Sequence, residues 1–247
     1  MSWFANYRNC PGLLHPRHNE AFLFCSNLAT VTIPSSVSSI GDGAFEYCTN
    51  LAGVTLPSKL TDIVGSAFME TRLTSVTVPA SVTSIGPYVF YGCTSMTNAT
   101  LPTGITSLAP GVFADSTNLA AVYFQGSAPS VDQVDLFDIP AFDGDSNVTV
   151  YYLPGTTGWS NTYDGVPAVL WNPLIQTGNG NFGVQNNQFG FDITGTPAIP
   201  IVVQASTNLA NPVWTALTNV TLTNGLFHFS EPAQANSAGR FYRISSP

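Results

Sequence analysis

The chain has 247 residues, 44% hydrophobic and 12% aromatic, enough to bury a core and to exclude general disorder. Only 8% are charged, with six Lys plus Arg against fourteen Asp plus Glu and a net charge of −8. Between Ala21 and Gly239 the only basic residues are Lys59 and Arg72, so there is no phosphate-tracking stripe and nucleic-acid binding is excluded.

In chain order, residues 1–20 come first and match nothing downstream. Cys10, His15 and His18, with Cys25 nearby, loosely resemble a zinc ligand set, but C-x4-H-x2-H is not a structural-zinc spacing and the segment reads as an irregular polar start. It lacks the continuous apolar core of an export signal, and no later segment reaches the roughly 18 apolar residues of a membrane helix. The regular pattern then begins abruptly, in mid-unit, at Ala21. The expectation is a piece of a longer exported protein with a divergent start.

From Ala21 the chain repeats. Phe22, Phe45, Phe68, Phe90 and Phe113 are 23, 23, 22 and 23 residues apart. Pro34, Pro57, Pro79 and Pro102 keep that step, as do Leu28, Leu51, Leu73, Met96 and Leu119, and Ile40, Ile63, Ile85 and Leu108. Each unit holds a short alternating run such as Val31-Thr32-Ile33, read as one strand with two side chains inward and one outward. Proline closes the strand, an extended stretch leads to Ile-Gly, and an Ala-Phe segment is read as a single helical turn. One unit cannot cover its own apolar side, so stacking must bury a continuous column. The predicted fold is mainly β, a solenoid with one parallel strand per coil spaced roughly 4.8 Å.

The pattern L-x-x-V-x-I/L-P followed by I-G-x-x-A-F-x-x-C, from Ala21 to about Asp132, resembles the BspA-like leucine-rich repeats of bacterial and protist surface proteins. The resemblance implies a right-handed leucine-rich-repeat solenoid in an extracellular or cell-surface parent protein, with a recognition or adhesion role and a protein or glycan partner. It implies no catalysis. The units degenerate late: Thr71 and Ser116 replace the column cysteine of Cys25, Cys48 and Cys93, and Gln125 replaces the column proline. The three cysteines read as small buried hydrophobes.

Asp132, Asp135, Asp138, Asp143 and Asp145 follow, read as an acidic insertion between the fifth coil and a cap. Val148–Trp159 through Pro173 reads as a longer coil plus that cap, so the solenoid is assigned to 21–173. The Gly/Asn-rich stretch at 174–188 is read as a linker. Residues 189–247 carry short alternating runs separated by turn residues, a small antiparallel β-sandwich with Trp214 as its core anchor. Its A-S-T-N-L-x-x-P-x-W, F-x-F-S-x-P and R-F-Y-R-I signatures resemble a C-terminal module of large exported bacterial proteins.

Two site expectations follow. Thr32, Thr55, Thr77, Thr100 and Tyr123 occupy the outward site of successive strands, an uncharged ladder suited to a glycan or protein ligand. Asp143-Gly-Asp145-Ser-Asn147 has the D-x-D-x-N opening of many calcium loops without the closing bidentate Glu, making Asp143, Asp145 and Asn147 the metal candidates and calcium the candidate cofactor. The enzymatic alternative is a calcium-dependent hydrolase of esters or lactones centred on 132–147. G-x-S-x-G, H-E-x-x-H and Walker A motifs are absent, and His228 is read as a solvent-facing strand histidine.

Overall fold

In the computed structural model, which describes residues 20–131, 139–233 and 239–246, every regular element of those residues is a strand. The chain divides into two compact units, residues 1–168 and 169–247. The Cys10, His15 and His18 grouping, and Asp132, Asp135 and Asp138, lie outside the described residues.

In the first unit each of the first five coils contributes two strands rather than the single strand expected. They are β1 (Thr30–Thr32) with β2 (Ser39–Ile40), β3 (Gly53–Thr55) with β4 (Asp62–Ile63), and β5 (Ser75–Thr77) with β6 (Ser84–Ile85). Then come β7 (Asn98–Leu101) with β8 (Ser107–Leu108), β9 (Ala121–Phe124) with β10 (Ser130–Val131), and β11 (Thr149–Tyr152). The extra two-residue strands form at the Ile column. Pairing between coils is parallel and places each repeat position against itself: Val31 on Val54, and Val76, Ala99, Val122 and Val150 in one row. A register slip would turn the inward Val and Leu to solvent, so burial of one face fixes the pairing. The ladder breaks between β3 and β5, which are not neighbours in any sheet. The reason lies in the sequence. Where the second coil has Cys48-Thr-Asn-Leu51, the third has Thr71-Arg-Leu73, one residue fewer just before β5.

The Ala-Phe segment is not a helical turn. The residue two after the phenylalanine has positive φ in six successive coils (Phe24, Tyr47, Glu70, Gly92, Asp115, Gly144), as does the residue two before it at Gly43, Ser66, Tyr88 and Gly111. A helix cannot tolerate that alternation. The freed amides instead donate to the next coil, Phe45 N to Ala67 O at 2.8 Å, Phe68 N to Val89 O at 3.0 Å and Phe113 N to Ala141 O at 2.9 Å. This third side of the coil is therefore a further hydrogen-bonded ladder.

Inside, the phenylalanine rings pile up nearly parallel. Centroids are 5.2 Å apart for Phe22–Phe45, 5.3 Å for Phe45–Phe68, 5.8 Å for Phe68–Phe90 and 5.4 Å for Phe90–Phe113. The stack continues to Phe142, 5.7 Å from Phe113 with an interplanar angle of 1°. Ala141-Phe142-x-x-Asp145-Ser-Asn147-Val148 is thus a sixth copy of A-F-x-x-C-T-N-L, not an inserted loop. Past it, Trp159 meets Phe124, Tyr152 and Tyr163 at 5.1, 5.0 and 5.2 Å, and Tyr163 Oη donates to Pro129 O. The unit ends with β12 (Thr162–Tyr163) and β13 (Val166–Leu170), which pair antiparallel.

The second unit starts earlier than expected. Trp171 Nε1 donates to Pro200 O, and Asn172 Oδ1 accepts from Thr196 N and Oγ1, which ties residues 171–173 to it rather than to the cap. The predicted linker at 174–188 is also strand. It contains β14 (Leu174–Gln176) and β15 (Gly183–Gln185), which pair with opposite halves of one edge of β16 (Gln188–Thr194). The Gly/Asn run is only the turn between them. Next come β17 (Pro200–Ser206), β18 (Thr215–Thr221), β19 (Leu226–Pro232) and β20 (Phe241–Ser245). β19 pairs along the whole of β16, while β18, β17 and β20 form a second antiparallel sheet. Tyr242 of β20 reaches Phe189, Phe191 and Phe229 of the first sheet at 4.9, 5.5 and 5.9 Å. Trp214 is not the core anchor: it is half-buried, with the Arg243 guanidinium 4.4 Å from its ring centroid.

Candidate recognition face and acidic coil

The outward column runs Thr32, Thr55, Thr77, Thr100, Tyr123, Tyr151, aligned by parallel register in two stretches, Thr32 with Thr55 and Thr77 through Tyr151. Thr32, Thr55 and Thr77 are exposed and Thr100 is half-buried. The neighbouring outward column is Thr30, Gly53, Ser75, Asn98, Ala121 and Thr149, so no ionisable group lies in either column before the tyrosines. Alternation along a strand turns every second side chain outward, which is why one residue type at one repeat position becomes a straight file of hydroxyls.

Tyr123 departs from the expectation. Only 6% of it is exposed, and its ring stacks on Tyr151 at 5.1 Å. Burial raises its phenol pKa further above the ordinary range. An aromatic is wide enough to lie against the ring of the next coil, whereas threonine is not. Tyr123 therefore belongs to the packed end of the unit, and the accessible ladder is Thr32, Thr55 and Thr77 with part of Thr100.

The cysteine column makes a second file. Cys48 Sγ donates to Phe22 O at 3.1 Å, Cys93 Sγ to Phe68 O at 3.2 Å and Ser116 Oγ to Phe90 O at 2.9 Å. Each is a small donor satisfying a carbonyl of the preceding coil. Burial pushes the Cys48 thiol up to about 12 and that of Cys93 to about 11, so both are poor nucleophiles. Cys25 is fully buried and held in a disulfide, which differs from the expectation of a simple core thiol.

Asp145 occupies this same column in the sixth coil. It is 4% exposed, and neither carboxylate oxygen is in hydrogen-bonding geometry. Burial first, and then the charges of Asp115 and Asp143, raise its pKa to about 7, with the Ser116 backbone amide pulling weakly the other way. The metal candidates divide between core and surface, with Asp143 and Asp145 bordering one open concavity. Asp145 packs inward, Asp143 is exposed, and Asn147 takes the repeat position at which Asn50 and Asn118 donate to Ser26 O and Thr94 O. Among the described residues no three carboxylate, His or Cys side chains are grouped to hold an ion. The D-x-D-x-N spacing arises because the sixth copy of A-F-x-x-C-T-N, which begins 29 residues after the fifth, carries two acids.

Sequence reasoning also missed a buried polar group in the second unit. Asp192 is 7% exposed, and its Oδ2 accepts from Asn179 Nδ2 at 2.6 Å and Asn181 Nδ2 at 2.7 Å. Its Oδ1 lies 2.6 Å from His228 Nδ1. The Asn181 and His228 hydrogen bonds hold the carboxyl below the usual carboxylate range. The available signal was an aspartate in the otherwise apolar run Phe189–Ile193, opposite the one histidine of this unit.

Residues 17–138 match the family described as BspA type leucine rich repeat region, in six copies. No curated protein matches. Among solved structures, a leucine rich cell surface protein from Faecalibacterium prausnitzii is 28% identical over 52% of this chain and 45% of its own, with a TM-score of 0.36. A leucine rich repeat protein of T. pallidum is 31% identical over 43% of this chain and 64% of its own, with a TM-score of 0.35. The pneumococcal vaccine antigen PcpA is 22% identical over 56% of this chain and 33% of its own, with a TM-score of 0.43. The chain thus spans less than two thirds of each of these proteins. Residues 17–138, about half of the chain, carry repeats of the BspA leucine-rich type.

Proposed function

We propose that the repeat unit is a recognition module of a bacterial surface or secreted protein, binding a protein or glycan through the hydroxyl face of its first four coils. The observation that carries the reading is the exposed, uncharged repeat column of Thr32, Thr55 and Thr77, the first two in register with each other and the third in register with Thr100. Hydroxyl rows at the strand repeat offer paired donors and acceptors without the desolvation cost of charges. The family match supports it, as do the descriptions of similar proteins as a cell surface protein and a vaccine antigen. The disulfide at Cys25 fits an oxidising compartment. No helix of the described residues is long and apolar enough to cross a membrane.

The test uses the full chain against a glycan array and a panel of host surface proteins. A triple variant, Thr32→Glu, Thr55→Glu and Thr77→Glu, is run beside it. The expected result is a ligand whose binding the triple variant loses while its thermal unfolding stays unchanged. Binding retained by the variant, or none by the wild-type chain, overturns the proposal.

A further inference from the structure

We infer that Ser230, His228 and Asp192 form an acyl-transfer site for small esters on the open face of the second unit. On β16 and β19, Asp192 pairs with His228 and Gly190 pairs with Ser230, so all four positions lie on one face, opposite the Phe191 and Phe229 core. Asp192 is the buried member, fixed by the two asparagines of the 177–182 turn, and it holds His228 by Nδ1. That bond selects the tautomer with the proton on Nδ1 and leaves the Nε2 lone pair free to accept.

Gly190 directs the ring. A Cβ there would fall 2.9 Å from Phe229 O and 3.3 Å from both Cε1 and Nε2 of His228. The imidazole therefore lies over Gly190, with Nε2 turned to the position across from Ser230. A concavity of about 240 Å³ opens beside them, bordered by His228, Ser230, Asn186 and Gln188. The side-chain amides of the last two are donors for a carbonyl oxygen. No hydrogen bond yet joins Ser230 Oγ to Nε2, and such contacts commonly close only with substrate in place.

The roles follow from the geometry. Ser230 Oγ adds to the ester carbonyl carbon while its proton passes to His228 Nε2. The carbon–oxygen bond to the alcohol breaks, and the imidazolium returns the proton to that leaving oxygen. Water then repeats the two steps on the acyl-serine, releasing the carboxylic acid and restoring Ser230. Asp192 touches no substrate atom and acts as the positioning residue. The site is independent of the solenoid face, so the two proposals stand or fall separately.

The test treats the full chain with p-nitrophenyl acetate and with a fluorophosphonate, locating the adduct by peptide mass spectrometry. The expected adduct is on Ser230, with labelling and hydrolysis falling about 10²-fold in Ser230→Ala and His228→Gln. Asp192→Asn should lower both while leaving Ser230 the labelled residue. Ser230 is exposed, so Ser230→Ala should fold normally, as circular dichroism will check. Labelling of Ser230 no greater than of other exposed serines, or ester hydrolysis undiminished in Ser230→Ala, overturns the inference.

Discussion

Replacing Asp145 tests whether the sixth coil obeys the logic of the five before it. In the fifth, Ser116 Oγ accepts from Cys93 N at 3.1 Å and donates to Phe90 O at 2.9 Å. An aspartic acid at the equivalent place can reproduce both roles only while protonated, because a carboxylate has no hydrogen to give the preceding carbonyl. With Asp115 and Asp143 close by, the ionised form also meets two like charges. The folded-state pKa of about 7 lies above the ordinary value of 3.8, so the native protein holds a proton that the unfolded chain has released. Stability contributed by this group is complete at low pH, declines as pH rises from the unfolded to the folded pKa, and is flat above it.

At 1.36 kcal/mol per unit, the full shift corresponds to roughly 4 kcal/mol, which partial solvation of the group reduces. The portion falling between about pH 5.5 and pH 8 is about 1 to 2 kcal/mol. Urea denaturation of wild type and Asp145→Ser at those two pH values isolates it, since other titrations cancel in the difference. From the lower to the higher pH the stability difference should move in favour of the serine variant by that amount. A wild type and variant whose stabilities run parallel between the two pH values would refute the column argument for Asp145.

Phe68→Ala removes a fully buried ring from the middle of the stack and should cost about 3–5 kcal/mol by the same denaturation assay. Thr77→Ala, on the exposed face, should change stability by less than about 0.5 kcal/mol, and equal losses at the two positions would contradict the assignment of faces. Ser66 holds φ of 55° at the position where two other coils have Gly43 and Gly111, so Ser66→Gly should stabilise by roughly 0.5–1 kcal/mol once glycine's entropy is counted. Cys48 and Cys93 should resist iodoacetamide in the folded chain and react on unfolding, as mass spectrometry will show. Rapid native labelling would contradict their burial and raised pKa values.

The period of about 23 residues made the coil legible because each column answers to one physical demand, a side chain on the axis or a strand turned outward. What the period does not encode is backbone handedness. Phe24, Tyr47 and Glu70 adopt positive φ although nothing in their side chains favours it. They do so because their amides and those of the phenylalanines pair with the next coil, a tertiary demand invisible in one unit. The helical turn expected there was a local reading of a non-local structure. The same limit applied at Asp145, where a 29-residue interval from Phe113 concealed a sixth copy and left its acids to be read as a metal loop.

A different obstacle hid Asp192 and His228. They stand 36 residues apart in a unit without a repeat, so no spacing rule connects them. Only the pairing of β16 with β19 does, and that pairing is specified by apolar partners on the other face, Phe191 against Phe229 and Ile193 against Phe227. The core sets the register, and the register in turn places Asp192 opposite His228 and Gly190 opposite Ser230. A one-residue slip would put phenylalanines in water and dissolve the polar constellation at the same time. Core packing in this unit is therefore a precondition of its polar chemistry. A core-conserving change such as Ile193→Val should leave Ser230 labelling intact, whereas Phe191→Asp should abolish it without touching any polar member of the site.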